Sequence, residues 1–260
     1  MDIRDKVVVI TGAGSGIGAA MARRFALEQA KAVVVADIDG NAAQAVAADI
    51  GGLAVAVDVA DESQLVQLID LAESRFGPID LFCSNAGISV SGGPEVPDES
   101  WHRVWDVNLM AHVHVARALV PRMLERGAGY LLQTASAAGL LSQFDAPYAV
   151  TKHAAVAFAE WLSITYGNRG IKVSCLCPLG VDTPLFRSET AERRALMSTN
   201  VLSADEVASA VVAGLQTEEF LILPHPEVLD FLQRKVLERE RWLKGMRRVH
   251  AQALNDAPMP

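Results

Sequence analysis

The chain has 260 residues, of which 51% are hydrophobic and only 6% aromatic. That length suits a single α/β domain, and a core of Ala, Val, Leu and Ile suits a parallel sheet covered by helices on both faces. The net charge of −8 at pH 7, with no run of Lys or Arg, argues against nucleic acid and against an anionic membrane as partner.

The first residues place charges ahead of a short apolar run that glycines interrupt, unlike a signal peptide. No apolar stretch reaches the length of a membrane span. Val7–Thr11 is a β-branched run that reads as a strand, and Ile17–Glu28 as the helix after it. Between them lies Thr11-Gly12-Ala13-Gly14-Ser15-Gly16-Ile17-Gly18. A turn this tight needs residues without Cβ, and the helix N-terminus behind it offers N–H groups and a positive dipole end to a pyrophosphate. Gly12, Ser15, Gly16, Ile17 and Gly18 are therefore candidate dinucleotide contacts. The second strand, Ala32–Asp37, ends in a carboxylate about 20 residues on, where an acid accepts bonds from the adenosine ribose and repels a 2′-phosphate. Ile38 follows it, and neither Ser15 nor Ile38 is a cation, so the expected cofactor is NAD rather than NADP. Asp39 is the better N-cap for the helix Asn41–Ile50.

Leu53–Asp58 reads as the third strand, Glu62–Phe76 as an amphipathic helix and Asp80–Ser84 as the fourth strand. Ligands of open α/β sheets bind at the carboxyl ends of strands. Asp58 and Val59, with the adenine amine in reach, and Asn85, Ala86 and Gly87, beside the ribose, thereby join the candidates. The section 95–126 reads as two helices joined near Asn108. His112 and His114 are two apart on the second and diverge, which makes them poor joint metal ligands. Gly129–Ser136 is a fifth strand, Tyr148–Gly167 a long helix, Lys172–Pro178 a sixth strand, Ala204–Leu215 a helix and Phe220–Leu223 a seventh strand. This alternation predicts one domain, a Rossmann-type doubly wound parallel sheet of about seven strands. Cys83, Cys175 and Cys177 sit in apolar runs and read as reduced core thiols of a cytoplasmic protein. Nothing near the Cys-x-Cys pair completes a metal site. Two segments break the alternation. Pro184–Val201 lacks strong periodicity and is the expected substrate loop. Pro224–Leu254 reads as a helical extension beginning after His225-Pro226, with Val228, Leu229, Leu232, Val236 and Trp242 covering the subunit or a neighbour.

Tyr148 and Lys152 are four apart on the long helix and share a face. An ammonium beside a phenol favours the phenolate and lowers its pKa, giving an acid/base for the proton that accompanies a hydride transfer. Ser136, ending the strand before, is placed to donate to a developing oxyanion. Taken together these motifs resemble the short-chain dehydrogenase/reductase family. Thr11–Gly18 matches its TGxxxGxG, and Ser84-Asn85-Ala86-Gly87 is similar to its NNAG, with Ser for the first Asn. Asn108, Ser136, Tyr148 and Lys152 fall where its catalytic tetrad belongs. The resemblance implies that Tyr148 is the acid/base, that Lys152 tunes it and holds the nicotinamide ribose, and that Ser136 polarises the substrate oxygen. It also implies that Asn108 interrupts its helix and supports a water in a proton relay. Pro178-Leu179-Gly180-Val181-Asp182-Thr183 resembles the family's PGxVxT, with Leu179 at the usual Gly position. Pro178, Val181 and Thr183 are thus candidate contacts to the nicotinamide end. The implied activity is NAD(H)-dependent interconversion of a secondary alcohol and a ketone. The candidate walls Val90, Leu140, Leu141, Phe144, Leu185 and Phe186 suggest an apolar or mixed substrate, such as a steroid, an aromatic alcohol or a fatty hydroxy compound. The alternatives are reduction of an imine or an activated C=C, and a non-catalytic NAD-binding redox sensor. The resemblance further implies a homo-oligomer, tetramer or dimer, with the helices about Leu109–Arg126 and Tyr148–Gly167 as candidate contacts.

Overall fold

The computed structural model of the chain describes residues 1–142, 144–189, 194 and 200–255. Among these residues seven strands form one parallel sheet: β1 (Val7–Thr11), β2 (Ala32–Asp37), β3 (Leu53–Ala56), β4 (Leu81–Ser84), β5 (Gly129–Thr134), β6 (Ile171–Leu176) and β9 (Leu221–Ile222). Their order is β3-β2-β1-β4-β5-β6-β9. The order reverses between β1 and β4, which opens a crevice at the carboxyl ends of these two neighbours. Two further strands, β7 (Val181–Asp182) and β8 (Leu202–Ser203), pair by themselves.

The unbroken apolar runs have a direct cause, because both faces of the sheet are covered. Val7, Val9, Val34 and Phe82 point to one core, and Val8, Ile10, Val33 and Leu81 to the other. Helices α3 (Glu62–Phe76), α5 (Ala111–Arg126) and α7 (Ala146–Tyr166) cover the first face. Helices α1 (Gly16–Leu27), α2 (Gly40–Ile50) and α9 (Ala204–Thr217) cover the second. Caps set the boundaries. The Asp39 carboxylate accepts from the Asn41 and Ala42 amides, as expected, and Ser203 with Glu206 forms a capping box on α9.

Helix α4 (Asp98–Trp105) does not end before α5. The two run together through a π turn, Asp106–Met110, with Asn108 at its centre. One extra residue in a helical turn displaces the backbone carbonyls there, a distortion concentrated at functional sites. The short elements α6 (Ala138–Leu141) and α8 (Pro184–Arg187) edge the crevice. The C-terminal extension is two helices rather than one, α10 (Glu227–Leu237) and α11 (Arg239–Asn255). Glu238 between them leaves helical geometry at φ −128° and ψ 53°. Phe231 and Trp242 would stand roughly 16 Å apart along a straight helix, but the break brings their rings to 6.5 Å. Val228 is fully buried and Leu232 packs against the core, while Leu229 and Val236 stay exposed.

Candidate active site

The turn after β1 is built so that backbone can approach backbone. Gly12 sits at φ +62°, and a Cβ there would lie 2.7 Å from the Ala86 Cα. A Cβ on Gly18 would run into the Gly12 carbonyl. Gly18 thus seats α1 under the turn, and it is not part of the crevice wall as expected. The Ser15 side chain does not cap α1, and Ser15, Gly16 and Ile17 at its first turn line the crevice, where N–H groups can meet an anion. The Asp37 carboxylate accepts from the Gly14 amide at 2.8 Å and from the Asp39 amide at 3.0 Å. Its position at the end of β2 is therefore fixed, with Ile38 exposed beside it. The Asn85 side chain donates to the Thr11 and Gly12 carbonyls and accepts from the Thr134 hydroxyl, stitching the ends of β1, β4 and β5 together. Asp58 also faces the crevice, but its carboxylate is paired at 3.0 Å with Arg103 of α4, a wall residue that no sequence motif marks.

The crevice holds a cavity of about 380 Å³. Every candidate site residue lines it except Gly18 and Asn108. Lys152 is buried, and its ammonium donates to the Thr134 carbonyl at 2.9 Å. Its Nζ stands 5.7 Å from the centre of the Tyr148 ring. Burial brings the Lys152 pKa down to about 8. Tyr148 is partly exposed through the open crevice, but its hydroxyl lies deep, and burial pushes it above the ordinary phenol value. The hydrogen bond with Ser136 pulls the other way without winning. This is opposite to the direction expected from the Lys152 charge, because that ammonium is turned to the Thr134 carbonyl and desolvation dominates. Asn108 lies behind the wall. Its amide donates to the Ile88 carbonyl and the Thr151 hydroxyl, and its oxygen accepts from the Ile88 amide.

The outer wall departs from expectation. Phe144, Leu185 and Phe186 line the cavity, whereas Leu140 and Leu141 belong to the core and Val90 is not in the wall. Leu140 and Leu141 turn inward because the chain from 138 to 141 coils into α6 and packs on α7. Part of the expected substrate loop, 190–193 and 195–199, lies outside the described residues. At the unusual Leu179 the backbone N–H donates to His225 Nδ1 at 3.1 Å, and His225 Nε2 meets the Asn200 carbonyl at 3.1 Å. A carbonyl only accepts, so Nε2 carries the proton and Nδ1 is free to accept. This buried histidine fastens the 178–183 turn to the far end of the loop. Sequence reasoning missed it because its partners lie 46 and 25 residues away. The three cysteines are unbridged and buried, with Cys175 and Cys177 Sγ 3.8 Å apart in the core.

His112 points into the core beside Gln133 and Lys152, and His114 to the side of Glu62 at 3.7 Å. Burial, then the Lys152 charge, holds the His112 pKa down to about 3. The unfolded chain therefore takes up a proton near pH 6.5 that the folded chain refuses until about pH 3. Stability contributed by neutral His112 is complete above that upper value and is lost as pH falls through the window. The slope is at most about 1.4 kcal/mol per pH unit. Urea titrations from pH 7 to 4 will show His112→Leu flattening this dependence. A parallel curve for the variant would refute the assignment.

The family described as "short chain dehydrogenase" matches residues 6–194. A 1-deoxy-11-beta-hydroxypentalenate dehydrogenase of Streptomyces exfoliatus is 41% identical over 237 residues, covering 87% of this chain and 86% of that protein. A cyclohexanol dehydrogenase of Acinetobacter sp. (strain SE19) is 36% identical over 224 residues, covering 83% and 89%. The crystal structure of a short chain dehydrogenase/reductase from Burkholderia phymatum in complex with NAD superposes with a TM-score of 0.83 at 30% identity, covering 93% of this chain and 96% of that one. A family match over residues 6–194, with relatives 36–41% identical across most of both chains, shows that the chain belongs to the short-chain dehydrogenase family.

Proposed function

We propose that the protein catalyses the reversible, NAD(H)-dependent conversion of a secondary alcohol to a ketone. The observation that carries this reading is one continuous cavity running from Asp37, past the first turn of α1, to Ser136, Tyr148 and Lys152. A dinucleotide fits its chemistry. The Gly12 turn admits a pyrophosphate, Asp37 offers acceptors to a ribose, and Pro178, Val181 and Thr183 line the other end. When bound, the nicotinamide supplies or takes up the hydride. The protein's own part is the proton. Tyr148 removes it from the alcohol, Ser136 donates to the oxygen as charge grows there, and Lys152 offsets the phenolate at low dielectric. Asn108 acts from behind the wall by holding the Ile88 backbone and Thr151.

Phe144, Leu185 and Phe186 give the substrate side a largely apolar wall, with Asp145 and Glu189 also in the lining. Together with a relative named for cyclohexanol, itself a cyclic secondary alcohol, they favour an alicyclic alcohol. The exposed Val150, Trp161 and Ile164 of α7 support assembly as a homo-oligomer, dimer or tetramer. The unbridged thiols support a cytoplasmic location. No helix among the described residues is long and apolar enough to cross a membrane. Absorbance at the NADH band, with a panel of cyclic and linear secondary alcohols, tests the reading. Turnover is expected with NAD, with NADP at least about tenfold poorer. Tight NAD binding without turnover of any alcohol or ketone would sink it.

A further inference from the structure

Among the described residues between Ser136 and Tyr148, two non-glycine residues sit in the left-handed region, Ser142 at φ +57° and Phe144 at φ +53°. L-residues seldom rest there unless their surroundings hold them. On one side the turn is held by the 92 region: Asp145 accepts from the Gly92 amide at 2.9 Å, and the Ala146 amide donates to the Gly92 carbonyl at 2.9 Å. On the other side the holding group comes from the C-terminal extension. Lys235 of α10 is 8% exposed, and its ammonium reaches into the turn. It donates to the Leu140 carbonyl at the end of α6, to the Ser142 hydroxyl at 3.3 Å and to His153 Nε2 at 3.3 Å. The chemistry is self-consistent. His153 Nδ1 faces the Ala149 carbonyl at 2.8 Å and must carry the proton there, which leaves Nε2 to accept. Burial, and to a lesser degree the Lys235 charge, keeps the His153 pKa low. Three donors thus meet a carbonyl and a hydroxyl at the end of α6 and an imidazole of α7, tying both to α10. The carbonyl is one that a helix end leaves without a partner.

Phe144 is the residue this clamp places. Phe144 lines the main cavity and also a shallower recess shared with Ser142, Ala149 and His153. It is therefore the partition between the substrate side and the clamp.

We propose that Lys235 is a positioning residue of the substrate pocket: by fixing Leu140 and Ser142 against His153 it sets the place of Phe144, and through it the size of alcohol the enzyme accepts. The inference rests on the dehydrogenase reading for its substrate, and on geometry alone for the clamp. Two measurements on the full-length protein separate these. The first is kcat/KM for a graded series of cyclic secondary alcohols with NAD. The second is amide hydrogen exchange of the peptide spanning Ser136–Tyr148, which needs no turnover.

Lys235→Met keeps the stem and removes the three donors. It is expected to change the ratio of kcat/KM between the largest and smallest alcohols by about tenfold, the size of a modest change in pocket shape. Exchange of the turn is expected to speed up by about tenfold as well. The KM for NAD stays within about twofold, since the clamp is remote from Asp37 and the glycine turn. Lys235→Arg, which retains a buried cation with donors, restores most of the selectivity. Should Lys235→Met fail to fold, Ser142→Ala removes a single acceptor and shifts both readouts in the same direction by less. A uniform loss across all alcohols with unchanged exchange overturns the proposal, because it is what a generally weakened fold would give. A wild-type protein that oxidises no alcohol with NAD overturns the dehydrogenase reading instead, and the exchange measurement then decides the clamp by itself.

Discussion

Tyr148→Phe will lower kcat for alcohol oxidation by about 10²–10⁴, the usual worth of a positioned acid/base. The change deletes one oxygen and leaves the ring, so the packing of α7 and the place of the Lys152 ammonium over the Tyr148 ring persist. NADH affinity, read by fluorescence titration, should stay within about twofold, because the pyrophosphate and adenosine contacts lie elsewhere. The loss must appear in both directions of the reaction, since the phenol that takes the proton in oxidation returns it in reduction. Retention of a tenth or more of the activity would assign the proton to another group. The raised phenol value adds a signature in the wild type: oxidation, which needs the phenolate, climbs with pH through neutrality, and reduction, which needs the phenol, does not.

Asp37→Ser combined with Ile38→Arg will raise the preference for NADP over NAD by about 10²–10³. Removing the carboxylate ends its repulsion of a 2′-phosphate, and a charge-assisted bond from the new guanidinium contributes about 1.5–3 kcal/mol, or one to two factors of ten. Ile38 is 67% exposed at the edge of the crevice, so an arginine there has room to reach. The same substitution costs stability, because Asp37 also accepts the Gly14 amide at 2.8 Å. Serine reaches less far, and a loss of about 1–2 kcal/mol is expected. Initial rates at matched NAD and NADP concentrations decide the point. An unchanged ratio would mean that the ribose is held by something other than the end of β2.

The parts of the molecule that were legible in the sequence are those whose causes are local. A strand buried on both faces must be apolar throughout, so β1, β2 and β6 could be read within a residue or two. The glycine turn declares itself because a Cβ at Gly12 or Gly18 has nowhere to go. Tyr148 and Lys152 were visible because helical spacing puts them on one face. What escaped reading depends on pairs far apart in the chain. Arg103 is an ordinary helical arginine until α4 swings it onto Asp58. His225 looks like a residue before a proline, and Lys235 like a charge on a solvated face, until each is found buried against a loop. The break near Asn108 was legible, but not that the two helices run on through it as a π turn. The pKa direction of Tyr148 was misjudged for a related reason: spacing predicts who is near, but not how much water is gone.

Chain order is also the order of synthesis. The strands found among the described residues are all encoded between Val7 and Ile222. Two groups that fasten the substrate side, His225 and Lys235, come after the last of them. A chain cut short after Leu223 would keep the strand ends that frame the nucleotide crevice and lose both fastenings, along with Val228 from the core. Recognition of the cofactor is thus encoded ahead of these fastenings, and the trim of the substrate side is left to what is translated after the sheet.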